Sequence, residues 1–166
     1  AQAARSCSVS PAVPAVDFSQ FGEIESVKLS KIQKLTANNM QRNWLNVPHV
    51  TQFDDADITE LEDFRKSLKA EGEKRGIRVT PVAFLIKAIA TSLQANPEFN
   101  RSLAGDGEHY IQKHFINVGM AVDTPRGLVV PVIKNVDEKG IWEISEDIMS
   151  LASLARDGKL KPSDMQ

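Results

Sequence analysis

The sequence predicts an α/β (α+β) sandwich, in which one mixed sheet is covered by helices. Several segments carry apolar residues at helical spacing between capping residues, and others are rich in β-branched residues and bounded by turns. These helical and extended segments mix without strict alternation, which favours a mixed sheet over a regular parallel one. With 166 residues, of which 42% are hydrophobic, the chain is long enough for one domain with a real core.

The N-terminal region predicts a linker followed by an extended arm. Residues 1–17 are rich in Ala, Ser, Pro and Val, and Pro11 and Pro14 stiffen this stretch. We therefore place the start of the folded domain at residue 18. Residues 18–28 predict an arm with four apolar side chains, Phe18, Phe21, Ile24 and Val27.

The next segment predicts a helix and then a strand. Ser30 can cap a helix that runs to about Trp44, and Pro48 stops the pattern. The apolar positions expected to face inward on this helix are Ile32, Leu35, Met40 and Trp44. Residues 49–56 alternate between apolar and polar residues, which predicts a strand.

A second helix is predicted from the Asp57 to Thr59 region to about Arg75. Asp57 or Thr59 can cap it, Glu62 stands three residues after Thr59 as in a capping box, and Gly76 ends it. Its charged stripe favours a solvated face over a docking surface. The stripe consists of Glu62, Arg65, Lys66, Lys69 and Glu73.

The third helix begins at Thr80-Pro81, with proline at its first position, and ends at Asn96-Pro97. It is apolar on most sides apart from Lys87, which predicts that it is buried.

The second half of the chain predicts two hairpins and a last helix. Gly105-Asp106-Gly107 is a hairpin signal before a strand at residues 108–113. Residues 115–123 and 128–136 are apolar and β-branched, and residues 124–127 form a turn between them. The last helix is expected at residues 141–156, with Gly158 closing it.

Pro131 interrupts the second of these long strands. Because proline cannot donate to a sheet ladder, it must lie at an edge or at a break. Two interpretations stay open: a hairpin with an irregular edge strand, or a break that lines a ligand channel.

Charge and composition exclude several function classes. The net charge of −2 gives no general drive toward nucleic acid or an anionic membrane, and no stretch reaches the roughly 20 apolar residues of a membrane span. The one cysteine, Cys7, stands in the linker and predicts neither a disulfide nor a nucleophile. A soluble protein of a reducing compartment is expected, either the bacterial cytoplasm or, for a mitochondrial protein, the matrix; we predict the bacterial cytoplasm.

Few residues predict chemistry on their own. No phosphate loop, metal-spaced Cys/His cluster or nucleophile elbow occurs in the sequence. His49 favours a structural role, and His109 and His114 are expected to face solvent. The Asp54, Asp55 and Asp57 cluster lacks the pattern of a calcium loop.

Several motifs together resemble a known family. They are RNWLNVPHVT at residues 42–51, DITEL at 57–61, Thr80-Pro81, the Phe99 to Leu103 segment and NVGMAVDTP at 117–125 running into GLVVPV at 127–132. From about Val16 to Gln166 the chain resembles the catalytic core domain of dihydrolipoamide (dihydrolipoyllysine-residue) acetyltransferases. Among these, the type found in pyruvate dehydrogenase complexes fits better than the succinyl or branched-chain types.

The resemblance implies a chloramphenicol-acetyltransferase-like fold and a particular assembly. The family forms trimers with active sites at the subunit interfaces, and trimers build a hollow cubic core. Residues 1–17 would tether lipoyl and peripheral-subunit-binding domains, through which pyruvate dehydrogenase and dihydrolipoamide dehydrogenase subunits bind. Residues 18–28 would wrap onto a neighbouring subunit.

The resemblance also implies the reaction, in which an acetyl group passes from acetyl-dihydrolipoamide, carried on the lipoyl group, to coenzyme A. A histidine takes the thiol proton and a hydroxyl group stabilises the oxyanion. The implied channel residues include Arg42 for phosphate and Trp44 for stacking, against the alternatives of a surface ion pair and a core residue. The others are Asn100, Ser102, Ala121, Asp123, Thr124, Gly127, Leu128 and Pro131.

The sequence departs from the family in one respect. The family's Thr-x-Ser-Ser-x-Gly and Asp-His-Arg-x-x-Asp-Gly motifs, which carry the serine and the histidine, do not occur in these 166 residues. We therefore expect a C-terminally truncated core with no catalytic residue of its own, inactive alone. The alternative of a trimerising scaffold without catalysis stays open.

Overall fold

The computed structural model describes residues 14–166. The predictions for Cys7 and for most of the linker lie outside these residues. From residue 14 the chain is exposed as far as the first helix, apart from a short 3-10 turn at Phe18–Phe21. The arm predicted at residues 18–28 begins with that turn and continues as solvent-exposed chain without regular secondary structure.

Five α-helices follow, and their ends agree with local signals. They are α1 (Lys31–Asn46), α2 (Thr59–Ser67), α3 (Lys69–Arg75), α4 (Pro81–Ala95) and α5 (Ile141–Arg156). Ser30 caps α1 in a capping box with Gln33, with the Gln33 amide nitrogen 3.2 Å from the Ser30 Oγ. Gly76 ends α3 with φ +67, a conformation that costs glycine little.

Two details of the second predicted helix were wrong. It is interrupted at Leu68, so that α2 and α3 are separate. Glu62 does not complete a capping box, because both its carboxylate oxygens accept from the Arg65 guanidinium at 2.9 and 2.8 Å. The N-cap residue is Ile58, and no side chain caps this helix; Asp57, one residue earlier, accepts from the Thr59 backbone N–H at 2.9 Å.

The strands form two separate antiparallel pairs within residues 14–166, instead of the one mixed sheet expected. Strand β1 (Arg101–Leu103) pairs with β2 (Tyr110–Gln112), and β3 (Val118–Gly119) pairs with β4 (Val132–Ile133). Strands β2, β3 and β4 are shorter than the strands predicted at residues 108–113, 115–123 and 128–136, and β1 was not predicted. The strand predicted at residues 49–56 is absent: this segment is fully exposed and has no neighbouring strand to pair with.

The core lies between α4, α5 and the β3–β4 hairpin. Ala83, Ile86 and Ala90 of α4 face Ile144 of α5, and Ile133 of β4 closes the cluster. The expectation that α4 is buried on most sides was too broad, since Val82, Leu85 and Ile89 on its other faces are exposed.

The inward face predicted for α1 is also wrong for the single chain. Leu35, Met40 and Trp44 are all more than half exposed, and Ile32 is only partly covered. The helix is held by its cap and its own backbone, not by a buried face.

Candidate functional site

The β3–β4 hairpin contains the segment that the sequence marked as unusual. Beyond the paired strands, the Met120 N–H donates to the Pro131 carbonyl at 2.9 Å, and Val122 and Val129 exchange bonds of 2.8 and 3.0 Å. The turn closes with the Gly127 N–H donating to the Thr124 carbonyl at 2.9 Å. Residues 118–133 therefore form one continuous hairpin.

Pro131 occupies a break inside this hairpin. It lies between the Val122–Val129 bridge and β4, and its side chain is fully buried. Having no N–H, it contributes only its carbonyl to the ladder. The irregular strand position foreseen for Pro131 is confirmed, and its channel role stays a prediction.

The turn is held rigid by its own side chain. The Thr124 hydroxyl donates to the Gly127 carbonyl at 2.6 Å and accepts from the Arg126 N–H at 3.2 Å. Gly127 has φ +120, and a Cβ there would lie 3.2 Å from Cγ2 of Ile32. Glycine therefore allows both the turn and the close approach of α1.

A cleft of about 540 Å³ lies between this turn and the start of α1, lined by residues 30–33 and 124–127. Along the hairpin, Val122 is buried while Ala121, Asp123 and Leu128 are exposed. One side of the hairpin therefore packs against the core, and the other side is exposed to solvent.

Asn100 serves the fold directly. Its side-chain amide donates to the carbonyls of Phe115 at 2.9 Å and Lys113 at 3.3 Å, which ties the start of β1 to the segment before β3. Ser102 stands in the middle of β1, opposite Ile111, and is exposed.

Arg42 and Trp44 lie away from the turn. They are 10 and 12 residues along α1 from Ile32, which at the helical rise of 1.5 Å per residue places them about 15 and 18 Å further along the axis. Trp44 is 76% exposed and stacks on His49 with ring centroids 5.5 Å apart, so the alternative of a core residue is wrong for the single chain. The Arg42 guanidinium donates to Asn39 at 3.1 Å.

The predicted channel residues therefore fall in three places within one chain. The hairpin holds six of them, α1 holds two, and Asn100 and Ser102 stand at β1. A second cleft of about 450 Å³ contains Trp44 and His49 without Arg42.

None of the three histidines is assigned as the catalytic base that the family resemblance implies. All three are exposed, as expected for His109 and His114. His109 Nδ1 lies 2.7 Å from Asp106 Oδ2 at the tip of the β1–β2 hairpin, a pairing that sequence reasoning missed. The backbone N–H of Glu108 and then the His109 ring lower the pKa of Asp106 below its ordinary value of 3.8. With the His109 side chain 73% exposed, this pair closes a turn in water.

The described part of the chain holds no group of three or more metal-ligating side chains. Within residues 14–166, no helix is long and apolar enough to cross a membrane.

Comparison with known proteins agrees with the resemblance. A family profile described as 2-oxoacid dehydrogenases acyltransferase (catalytic domain) matches residues 21–166. The dihydrolipoyllysine-residue acetyltransferase component of pyruvate dehydrogenase complex from Haemophilus influenzae is 56% identical over 155 residues, covering 92% of this chain and 27% of that protein. The Cupriavidus necator protein of the same name is 56% identical over 153 residues, again covering 92% and 27%. The chain thus spans 27% of the length of each of these relatives.

Solved structures confirm the fold. One is of Azotobacter vinelandii dihydrolipoamide acetyltransferase, studied for the roles of a serine, a histidine and an asparagine in catalysis; it matches with a TM-score of 0.92 and 48% identity over 95% of this chain and 65% of that one. The cubic core of the pyruvate dehydrogenase multienzyme complex gives the same four values. The predicted α/β sandwich of the acyltransferase type is confirmed.

Proposed function

The chain belongs to the family of 2-oxoacid dehydrogenase acyltransferase catalytic domains, and from that premise we propose that residues 18–166 form one wall of an acetyl-transfer site. The reaction moves an acetyl group from acetyl-dihydrolipoamide to coenzyme A. The observation that carries the proposal is the match over residues 21–166, because this range contains the whole β3–β4 hairpin.

In this proposal the hairpin positions the substrates. Its Thr124–Gly127 turn is braced internally, so the wall keeps its shape when an elongated thiol lies against Ala121, Asp123 and Leu128. Buried Pro131 interrupts the regular strand and thereby orients the exposed side of the hairpin. Asn100 holds the neighbouring segment in place, and Ser102 offers an exposed hydroxyl beside it.

Coenzyme A is an elongated molecule with a thiol at one end and phosphates at the other. The distance of about 15 to 18 Å along α1 from the turn region to Arg42 and Trp44 suits contacts at its two ends. The exposed indole can stack and the guanidinium can bind phosphate.

The chemical step needs a base and an oxyanion donor, which we assign to the serine and histidine motifs of the family. These motifs are not among the 166 residues. The polypeptide of residues 1–166 is therefore proposed to bind and position but not to turn over. The same residues then act as a scaffold, an interpretation that the many exposed apolar side chains favour.

The wider setting is proposed on the same basis. We place the protein in the bacterial cytoplasm as the homo-oligomeric core, trimeric and then cubic, of a pyruvate dehydrogenase complex. It would work with a lipoyl group carried on separate domains and with pyruvate dehydrogenase and dihydrolipoamide dehydrogenase subunits.

The test uses a chimera in which residues 1–166 are followed by the C-terminal part of the Haemophilus influenzae relative. Thioester formation is measured with acetyl-, succinyl- and isobutyryl-dihydrolipoamide and coenzyme A. We expect the chimera to prefer acetyl and residues 1–166 alone to stay at background.

A folded chimera without acetyl transfer would contradict the proposed reaction. A preference for succinyl or isobutyryl would indicate that the chain belongs to a different 2-oxoacid dehydrogenase complex. Normal turnover by residues 1–166 alone would show that one of their own side chains acts as the base.

A further inference from the structure

The side chain of Arg126 links the hairpin turn to the end of α5. A Cβ built on Gly158 would lie 2.7 Å from Nη1, 3.0 Å from Cζ and 3.4 Å from Nη2 of Arg126. The guanidinium therefore lies against the bare backbone of Gly158, with no room for a side chain between them. Arg126 makes no ion pair within residues 14–166, so no carboxylate of the described chain accounts for this placement.

The C-terminal end of α5 is a favourable place for a cation. Gly158 follows the helix at φ +68, and its N–H donates to the Ala155 carbonyl at 3.0 Å. The Lys159 N–H donates to the Leu154 carbonyl at 2.8 Å, which completes the end of the helix. Because the carbonyls of the last turn carry the negative end of the helix dipole, a guanidinium beside them is stabilised. Glycine at position 158 allows both the left-handed backbone and this close approach.

The contact joins two points that are themselves well held. On the helix side, Ala155 is only 4% exposed, so the end of α5 is fixed in the core. On the turn side, the Arg126 N–H donates to the Thr124 hydroxyl at 3.2 Å, which fixes the backbone from which the guanidinium extends. The turn also meets Ile32 of α1, but α1 contains no buried residue. Of these two neighbours, only α5 is anchored in the core.

We propose that Arg126 is a positioning residue for acetyl transfer, because its guanidinium on Gly158 fixes the angle of the 124–127 turn against the core. Without this contact the turn tilts, and Ala121, Asp123 and Leu128 no longer present one fixed surface to an elongated thiol. The inference rests on the proposed function and adds a residue that acts through the hairpin, without touching the reacting atoms.

Hydrogen exchange in the chain of residues 1–166 tests the contact without any reaction. Arg126→Ala should speed exchange of the Val122, Gly127 and Val129 amides about tenfold, because the turn opens more often, while the thermal midpoint stays the same. Arg126→Lys keeps a cation near the helix end and should recover most of the protection. The exposed control Lys134→Ala should leave these amides unchanged.

Two glycines form a matched pair that separates the contact from backbone strain. Gly76 has φ +67 at the end of α3 and nothing within 4 Å of a built Cβ, whereas Gly158 has nearly the same φ and the guanidinium beside it. Gly158→Ala should speed exchange of the three hairpin amides and Gly76→Ala should not. In an Arg126→Ala background, Gly158→Ala should add nothing at these amides.

Kinetics in the chimera described above test the consequence for acetyl transfer. Arg126→Ala should lower kcat about tenfold and change the KM for coenzyme A by less than about twofold, because a tilted surface misaligns bound substrates. Arg126→Lys should regain most of the lost kcat.

Three results would each overturn the proposal: unchanged hairpin exchange in Arg126→Ala, equal effects of Gly158→Ala and Gly76→Ala on the hairpin amides, or a raised KM for coenzyme A with kcat unchanged. The last result would make Arg126 a direct phosphate contact. An inactive parent chimera would contradict the proposed function, whereas the exchange experiments test the Arg126 contact by themselves.

Discussion

Two regions of this molecule differ in how they are held. Residues 14–58 contain no buried side chain, whereas every buried side chain of the described chain lies between Gly72 and Ala155. Both regions contain a long capped helix, α1 and α5. Local signals are thus enough to build a helix, but only the second region gives its helix a buried face.

The comparison teaches how to interpret apolar patterns. The stripe on α1 and the alternation at residues 49–56 indicate surfaces that need cover, and nothing in residues 14–166 covers them: Val50 is 90% and Phe53 93% exposed. The oligomeric core proposed above would cover these surfaces with other copies of the chain.

The largest expected effect is in the core. Ile144 is fully buried, so Ile144→Ala should reduce the free energy of unfolding by about 2–5 kcal/mol. Ile24→Ala in the arm, where the side chain is 58% exposed, should change it by no more than about 0.5 kcal/mol in the dissociated chain. Urea denaturation measures the free energy of unfolding of both variants. Equal losses would contradict the view that only the second region is held by a buried core.

A partly buried lysine, Lys87, gives a second, smaller effect on the core side. The Lys87 ammonium donates to the carbonyls of Val136 at 3.3 Å, Asp137 at 3.0 Å and Lys139 at 2.8 Å, which ties α4 to the turn before α5. Lys87→Met should cost roughly 1.5–3 kcal/mol, because these are charged hydrogen bonds. Thermal unfolding of Lys87→Met and of the exposed control Lys134→Met measures the difference. If the two variants are equally stable, the Lys87 hydrogen bonds do not stabilise the fold.

On the other side, the cap of α1 should matter locally. Ser30→Ala removes a capping box and should weaken α1 by about 1 kcal/mol. Because α1 is not packed, amide exchange in residues 31–46 should speed up while global unfolding stays the same. Ser26→Ala is the control, and a global loss of stability would mean that α1 is packed after all.

The smallest effect is a pH dependence at the junction of the two regions. The Thr59 hydroxyl and then its backbone N–H lower the pKa of Asp57 below its ordinary value of 3.8. A carboxyl with a depressed folded pKa adds stability above its unfolded pKa, and this is lost as pH falls through the folded pKa. The stability advantage of the parent over Asp57→Ala should therefore shrink as pH falls from about 5 to about 3. An advantage that grows on acidification would contradict the assignment.

The sequence predicted the elements that depend on local signals, and it failed for elements that need a distant partner. Helix ends marked by Ser30, Gly76 and Gly158, and the hairpin turn at residues 124–127, depend on nearest neighbours and were found. The strand at residues 49–56 was wrong, because a strand needs a partner that an alternating pattern does not supply. The channel stays a prediction: six of its predicted residues lie in the hairpin, whereas Arg42 and Trp44 lie elsewhere on α1.

The role of Lys87 was missed, although a lone lysine in an apolar helix was the available signal.

The most direct test of the central claim is hydrogen exchange of the assembled chimera with and without coenzyme A. We expect the ligand to slow exchange of amides at residues 120–131 and 42–49, while the tip of the β1–β2 hairpin at residues 104–109 stays unchanged. Protection that avoids residues 118–133, in a chimera that binds coenzyme A, would contradict the claim that this hairpin is a wall of the acyl-transfer site.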